Sequence, residues 1–173
     1  SPVAHGIIRK LDVSAALKRP GVHSVITAED MGDSIPTIQL RLIPMEELKP
    51  LGQPVIAGDK VRYVGEIIAF VLAEDAAIAE DALADIEVEI EPLGPIPNRT
   101  VALEGSARLF DTWPTNEAIA YTAAKGDVDK AFAEAAYVRR EKMEVQRHVA
   151  LPMELRGIVA EWNVDDQRLT SMG

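Results

Sequence analysis

The apolar run Ile67 to Ala73, IIAFVLA, constrains the fold more than any other stretch of the chain. A helix that crosses a bilayer needs about 20 apolar residues, so this run is of strand length. It is continuously apolar, without polar alternation. That pattern predicts a central strand covered on both faces. A helix follows at once: over Asp75 to Asp85, Ala76, Ala79 and Leu83 recur at helical spacing, with Ile78 and Ala82 beside them. Then Glu87, Glu89 and Glu91 alternate with Ile86, Val88 and Ile90, the pattern of a half-buried strand with one acidic face. The acidic stripe reads as a solvated sheet face in preference to a cation site.

Upstream, Ala4 to Val13 reads as a strand. Ser14 is placed to cap a short helix over Ala15 to Lys18, which Pro20-Gly21 stops. Val22 to Thr27 is a second strand, and Thr27 is placed to cap a turn over Ala28 to Met31. Gly32 to Gly52, interrupted by proline, reads as a long surface loop. Val61 to Val64 and Glu66 to Ala73 form an expected strand pair broken at Gly65. Downstream, Pro92 to Pro97 carries three prolines and a glycine and is the best linker. Leu103 to Asn116 reads as an irregular connection, Ala118 to Ala124 as a strand, and Lys125-Gly126-Asp127 as a turn. Asp127 caps an expected helix over Val128 to Ala135. Tyr137 to Val145 has a noisy period of two and reads as a strand. Gly157 to Asn163 and Arg168 to Ser171 form an expected hairpin. The chain reaches Gly173 just after a strand opens, which reads as a cut, because a domain ending there leaves an unpaired edge.

Composition excludes several functions. The net charge of −10 opposes nucleic-acid binding, which needs clustered Lys and Arg, and opposes an anionic membrane surface. With no cysteine, the chain has no disulfide, thiolate zinc site, iron–sulfur ligation or cysteine nucleophile of its own. The three histidines, His5, His23 and His148, are far apart and none has a carboxylate at helical metal-ligand spacing. No metal site is therefore expected from this chain alone. No membrane span and no signal peptide are visible, although Ser1 is not an initiator Met; the expected compartment is the cytoplasm. The acidic pairs, such as Glu29-Asp30 and Asp165-Asp166, sit at helix starts or turns, where acids are ordinary. No nucleophile elbow and no phosphate-binding glycine nest is present. No catalytic residue is assigned.

The densest cluster of chemistry is Gln146 to Gly157, QRHVALPMELRG. Polar side chains crowded between two expected strands are costly unless they bond something. The partner could be the protein's own backbone, another chain or a cofactor. Gln146, His148, Glu154 and Arg156 are the candidate cofactor-contacting residues. A structural ion pair or backbone clamp through Glu154 and Arg156 is the competing reading.

Four stretches taken in order resemble one family: SPVAHGIIRKLDVSAALKRPGVHSVITAED, QPVIAGDKVRYVGEIIAFVLAEDAAIAEDALADIEVEIEPL, GDVDKAFAEAAYV and QRHVALPMELRG. They resemble the large subunit of the molybdenum hydroxylases, the xanthine dehydrogenase, aldehyde oxidase and carbon monoxide dehydrogenase enzymes. The resemblance implies an α+β fold: an α/β hammerhead domain over residues 1–93, a linker over 94–116, and an incomplete N-terminal part of the molybdopterin-binding domain over 117–173. It implies a parent subunit that binds a molybdopterin-type molybdenum cofactor. That parent hydroxylates an aldehyde, an N-heterocycle or carbon monoxide with oxygen from water. Electrons then leave through [2Fe-2S] clusters to FAD on partner subunits or domains. The family's pterin-contacting glutamine segment, its GGGFG-type loop and its base glutamate lie beyond Gly173 in this reading. The 173 residues are thus expected to be scaffold and interface, inactive alone and without cofactor. Leu155 stands where the family usually has proline. The alternative is a stand-alone hammerhead module that docks or assembles without a cofactor.

Overall fold

The structure is a computed structural model that describes residues 1–38, 46–145, 153 and 157–173. The chain divides into two compact units, Ser1–Ala123 and Ala124–Gly173. The first is built on strand β1 (Gly6–Asp12), flanked by β5 (Lys60–Val61) and β7 (Glu87–Pro92) in an antiparallel sheet of order β5-β1-β7. A second antiparallel pair joins β2 (Val22–Ile26) to β6 (Phe70–Ala73), with Val25 opposite Val71. A short ribbon joins β3 (Thr37–Ile38) to β4 (Gln53–Pro54). Helices α1 (Ser14–Leu17) and α2 (Ala76–Leu83) accompany β2 and β6.

The core of this unit follows from small residues. Ala16 of α1 and Ala82 of α2 are fully buried, with Val25 of β2 beside them; Val13, Val22, Ala69, Val71 and Ile86 pack around. Alanines let helices approach a sheet closely. Gly21 serves the same end: its φ is +84°, and an added Cβ would lie 2.7 Å from Ile78 Cδ1 of α2. Only glycine meets both demands at no steric cost.

Helix α2 starts where the sequence puts it. Asp75 is its N-cap, its Oδ1 accepting the Ile78 N–H at 2.8 Å, a contact typically contributing about 1 kcal/mol. The caps expected at Ser14 and Thr27 run the other way. Ser14 is the first residue of α1 and donates its own N–H to Asp12 Oδ1 at 2.9 Å. Thr27 donates its N–H and its hydroxyl to Asp30 Oδ2, at 2.7 and 2.9 Å. A carboxylate accepts such bonds more strongly than a hydroxyl does, so the nearby acid takes over. Ser14, through its side chain first and its N–H second, holds the Asp12 carboxyl below its ordinary pKa, and the Thr27 N–H and hydroxyl do the same for Asp30.

The acidic stripe of β7 is solvated and paired. Lys10 Nζ bonds Glu87 and Arg9 Nε bonds Glu91, each at 2.6 Å. The bond to Glu87 raises the Lys10 pKa. Exposed pairs of this kind contribute little.

The long apolar run departs from expectation. Strand pairing begins only at Phe70, and β6 has one neighbour among the described strands, β2. Phe70 and Leu72 are 39% and 46% exposed, so β6 is not a central strand covered on both faces. Nor do β5 and β6 pair with each other; β5 joins β1. Between them Gly65 turns the chain at φ +86°, and the Ile67 carbonyl accepts the Ala57 N–H at 2.7 Å. The backbone bonds of residues 62–69 go to this turn, to Ser1 and to Ala57 instead of to a ladder.

The connection after β7 also differs. Helix α3 (Arg99–Glu104) stands inside it, capped by Asn98, whose Oδ1 accepts the Thr100 and Val101 N–H groups. Asn98 followed by a short apolar run is a start signal hidden by the prolines before it. No strand forms over Ala118 to Ala124 or over Tyr137 to Val145. Alternating side chains suggest a strand, but no described strand pairs with either stretch.

The second unit holds helix α4 (Val128–Glu134) and the hairpin β8 (Val159–Asn163) with β9 (Arg168–Met172). Asp127 caps α4, its Oδ1 accepting the Lys130 N–H at 2.9 Å. In the hairpin turn Asn163 Oδ1 accepts the Asp166 N–H at 3.0 Å, and Gln167 takes a positive φ of 48°. From Ala124 onward every described residue is exposed.

Candidate functional site

The four candidates Gln146, His148, Glu154 and Arg156 lie outside the described residues. Of their window, Met153 and Gly157 are described, and both are exposed.

Among the described residues, buried charge gathers elsewhere, around β5. Lys60 and Val61 are adjacent and both buried, so β5 is covered on both faces. The Lys60 ammonium, its side chain 8% exposed, meets Asp111 Oδ2 at 2.6 Å. Arg62 reaches the same segment: its Nε donates to the Leu109 carbonyl at 2.9 Å, and its guanidinium carbon sits 4.9 Å from the Phe110 ring centroid. Its Nη1 also donates to the Lys60 carbonyl at 3.1 Å. Residues 109–111 are thus held by two cations, through an ion pair, a carbonyl bond and a cation–π contact. The bond from Lys60 holds the Asp111 carboxyl below its ordinary pKa. Asn116 shapes the segment from its other side. Its Oδ1 accepts the Leu109 N–H, and its Nδ2 donates to the Ala102 and Ala107 carbonyls.

Glu66 completes the cluster. It is 2% exposed, and one carboxylate oxygen accepts the Arg62 backbone N–H. The other oxygen is buried without a partner among the described residues. Burial first, and the Glu66 charge second, push the nearby Tyr63 hydroxyl above its ordinary pKa. His5 is likewise 2% exposed. Its Nδ1 lies 2.9 Å from the Gly94 carbonyl, and its Nε2 is buried without a partner among the described residues.

Sequence reasoning missed this cluster. Val64-Gly65-Glu66 reads only as a tight turn, and Lys60 and Arg62 have no role legible in the sequence. The available signal was Glu66, a charge set directly against the apolar run. As a site, the cluster can fasten a connection and orient donors. The described residues include no group of three or more His, Cys, Asp or Glu side chains placed to hold a metal ion.

Residues 1–94 match the family described as aldehyde oxidase and xanthine dehydrogenase, a/b hammerhead domain; residues 109–172 match the molybdopterin cofactor-binding domain. The chain is similar to the 6-hydroxypseudooxynicotine dehydrogenase complex subunit gamma of Paenarthrobacter nicotinovorans. The two are 39% identical over 170 residues, covering 93% of this chain and 20% of that protein. It is similar to the carbon monoxide dehydrogenase large chain of Hydrogenophaga pseudoflava, 30% identical, covering 94% of this chain and 21% of that one. Among solved structures, quinoline 2-oxidoreductase from Pseudomonas putida 86 superimposes with a TM-score of 0.83. It is 35% identical, covering 99% of this chain and 22% of that one. The chain therefore spans about a fifth of the length of the curated relatives it matches. In the second unit every described residue is exposed. No chemical step is assigned to them. No helix of the described residues is long and apolar enough to cross a membrane.

Proposed function

Because the chain belongs to the aldehyde oxidase and xanthine dehydrogenase family of molybdenum-hydroxylase large subunits, we propose that it is the scaffold and interface portion of such a subunit. The observation that carries this reading is the order of the two matches, hammerhead then cofactor-binding domain, along one chain. The proposed division is residues 1–93 for the hammerhead, 94–116 for the linker and 117–173 for the opening of the cofactor-binding domain. The parent subunit, on this reading, binds a molybdopterin-type molybdenum cofactor. It hydroxylates an aldehyde, an N-heterocycle or carbon monoxide with oxygen from water. Its partners are the rest of the large subunit and components carrying [2Fe-2S] clusters and FAD, in the cytoplasm. The relatives named as a complex subunit gamma and as a large chain support a multi-subunit setting.

The purified 173-residue chain should hold no stoichiometric molybdenum or pterin. It should not turn over quinoline, an aldehyde or carbon monoxide with an artificial electron acceptor. Molybdenum in equal amount to polypeptide, with turnover, would overturn the scaffold reading.

Within the undescribed window we assign Glu154 and Arg156 a structural role: Arg156 pairs with a carboxylate and Glu154 accepts local donors. On an extended segment, residues two apart share a face, with Leu155 turned the other way. Removing one member of a buried pair leaves the other uncompensated. Glu154→Gln and Arg156→Met should each lower the melting temperature of the chain. If both melt like the parent while the full-length subunit loses molybdenum, these residues belong to the cofactor or substrate site.

A further inference from the structure

Strand β1 is bordered along its length on one side only. β7 meets it from Gly6 to Asp12, with a bulge at Arg9, which has no partner on β7. On the other side β5 meets Gly6 and Ile7, and the last bond runs from the Ile8 N–H to the Asp59 carbonyl at 2.8 Å. From Arg9 to Asp12 no described strand borders that edge. A cavity of about 460 Å³ lies against it, with Arg9 and Leu11 on one wall, Thr27 and Glu29 on another, and Gly58 and Asp59 on a third. A strand edge bordered by a cavity is a template for another chain, since its free N–H and C=O groups need partners. Four strand residues occupy roughly 13 Å, at about 3.3 Å each.

The charge at the slot selects the occupant. Arg9 and Lys10 are engaged by Glu91 and Glu87 on β7. The Glu29 and Asp59 side chains are exposed and have no ion-pair or hydrogen-bond partner among the described residues. The unpaired charge of the walls is therefore negative. We propose that this slot takes an extended segment of a separate polypeptide, carrying a lysine or arginine, added as a strand along β1. Main-chain bonds to Arg9–Asp12 hold the segment, as in other strand-addition complexes. Its cation opposite Glu29 and Asp59 sets the choice of partner.

Three capped pentapeptides test this: Val-Lys-Val-Arg-Val, its acidic counterpart Val-Glu-Val-Asp-Val, and the basic peptide N-methylated at alternate residues. The readout is the amide chemical shifts and hydrogen exchange of Arg9 to Asp12 in the isotope-labelled full chain. The basic peptide should shift and protect these amides, and the acidic and N-methylated peptides should not. The Glu29→Gln/Asp59→Asn double variant should bind the basic peptide about fivefold more weakly, as expected for two exposed ion pairs. Equal effects from all three peptides, or shifts centred on another strand, would overturn the proposal. So would full protection of Arg9 to Asp12 in the full-length subunit without any partner, because the subunit would then fill the slot itself.

Discussion

Asp111→Asn should lower the stability of the first unit by about 2–3 kcal/mol, whereas Lys60→Met should change it by less than about 1 kcal/mol. The asymmetry comes from burial. The Lys60 side chain is 8% exposed and its ammonium depends on Asp111, which is itself 65% exposed. Neutralising the acid strands a desolvated cation. Removing the cation returns a solvated carboxylate to water and leaves an uncharged side chain in a buried place. The figure sits at the low end of the range for buried pairs because one partner is wet. The same contact fixes a pH dependence. The folded pKa of Asp111 lies below its unfolded value. The stability it contributes is therefore fully present above the unfolded value, and is lost as pH falls through the lowered folded one. Urea unfolding followed by Trp113 fluorescence, in a Trp162→Phe background, reads both variants. Equal losses would contradict the burial argument, as would an acid-insensitive difference between Asp111 and Asn.

Ile56→Ala should be the most costly single truncation in the first unit, about 3–4 kcal/mol. Ile56 is 0% exposed and among the largest wholly buried side chains. Its neighbours are pinned: the Val55 N–H bonds the Pro36 carbonyl at 3.0 Å, and the Ala57 N–H bonds the Ile67 carbonyl at 2.7 Å. A cavity there cannot collapse easily, which places the cost above the middle of the usual spread. Leu17→Ala, at a side chain 47% exposed, should cost about 1 kcal/mol or less, since little area leaves water there on folding. The same urea titration decides it. A loss at Ile56 no greater than at Leu17 would show that the residues around Ile56 repack.

How much of this was legible in the sequence depends on the range of the interactions involved. Local signals were readable. Asp75 and Asp127 cap the helices that follow them, and the turn before Arg168 makes the hairpin expected there. These need only neighbours within a few residues. Pairing was not readable. Val61 and Phe70 look like members of one broken strand pair, yet they join β1 and β2, because partner choice depends on chain far away in sequence. Tyr121 and Tyr137 sit in plausible strand patterns with no described strand to pair with. Burial was missed at Lys60 and Glu66: both are buried, Lys60 against Asp111 and Glu66 with one oxygen on the Arg62 backbone. The family resemblance reached further than the local rules, since an ordered series of motifs points to the two domains that the family models match. The candidates Gln146, His148, Glu154 and Arg156 rest on polar side chains crowded into one window, while the charged cluster around β5 emerged only from the fold.

The central claim, that these residues serve a molybdenum hydroxylase, is tested most directly by the metal content of the native gene product that contains them, purified from its own cells. The account predicts molybdenum stoichiometric with the polypeptide and accompanied by pterin. A native product free of both would contradict it and favour a docking module that works without the cofactor.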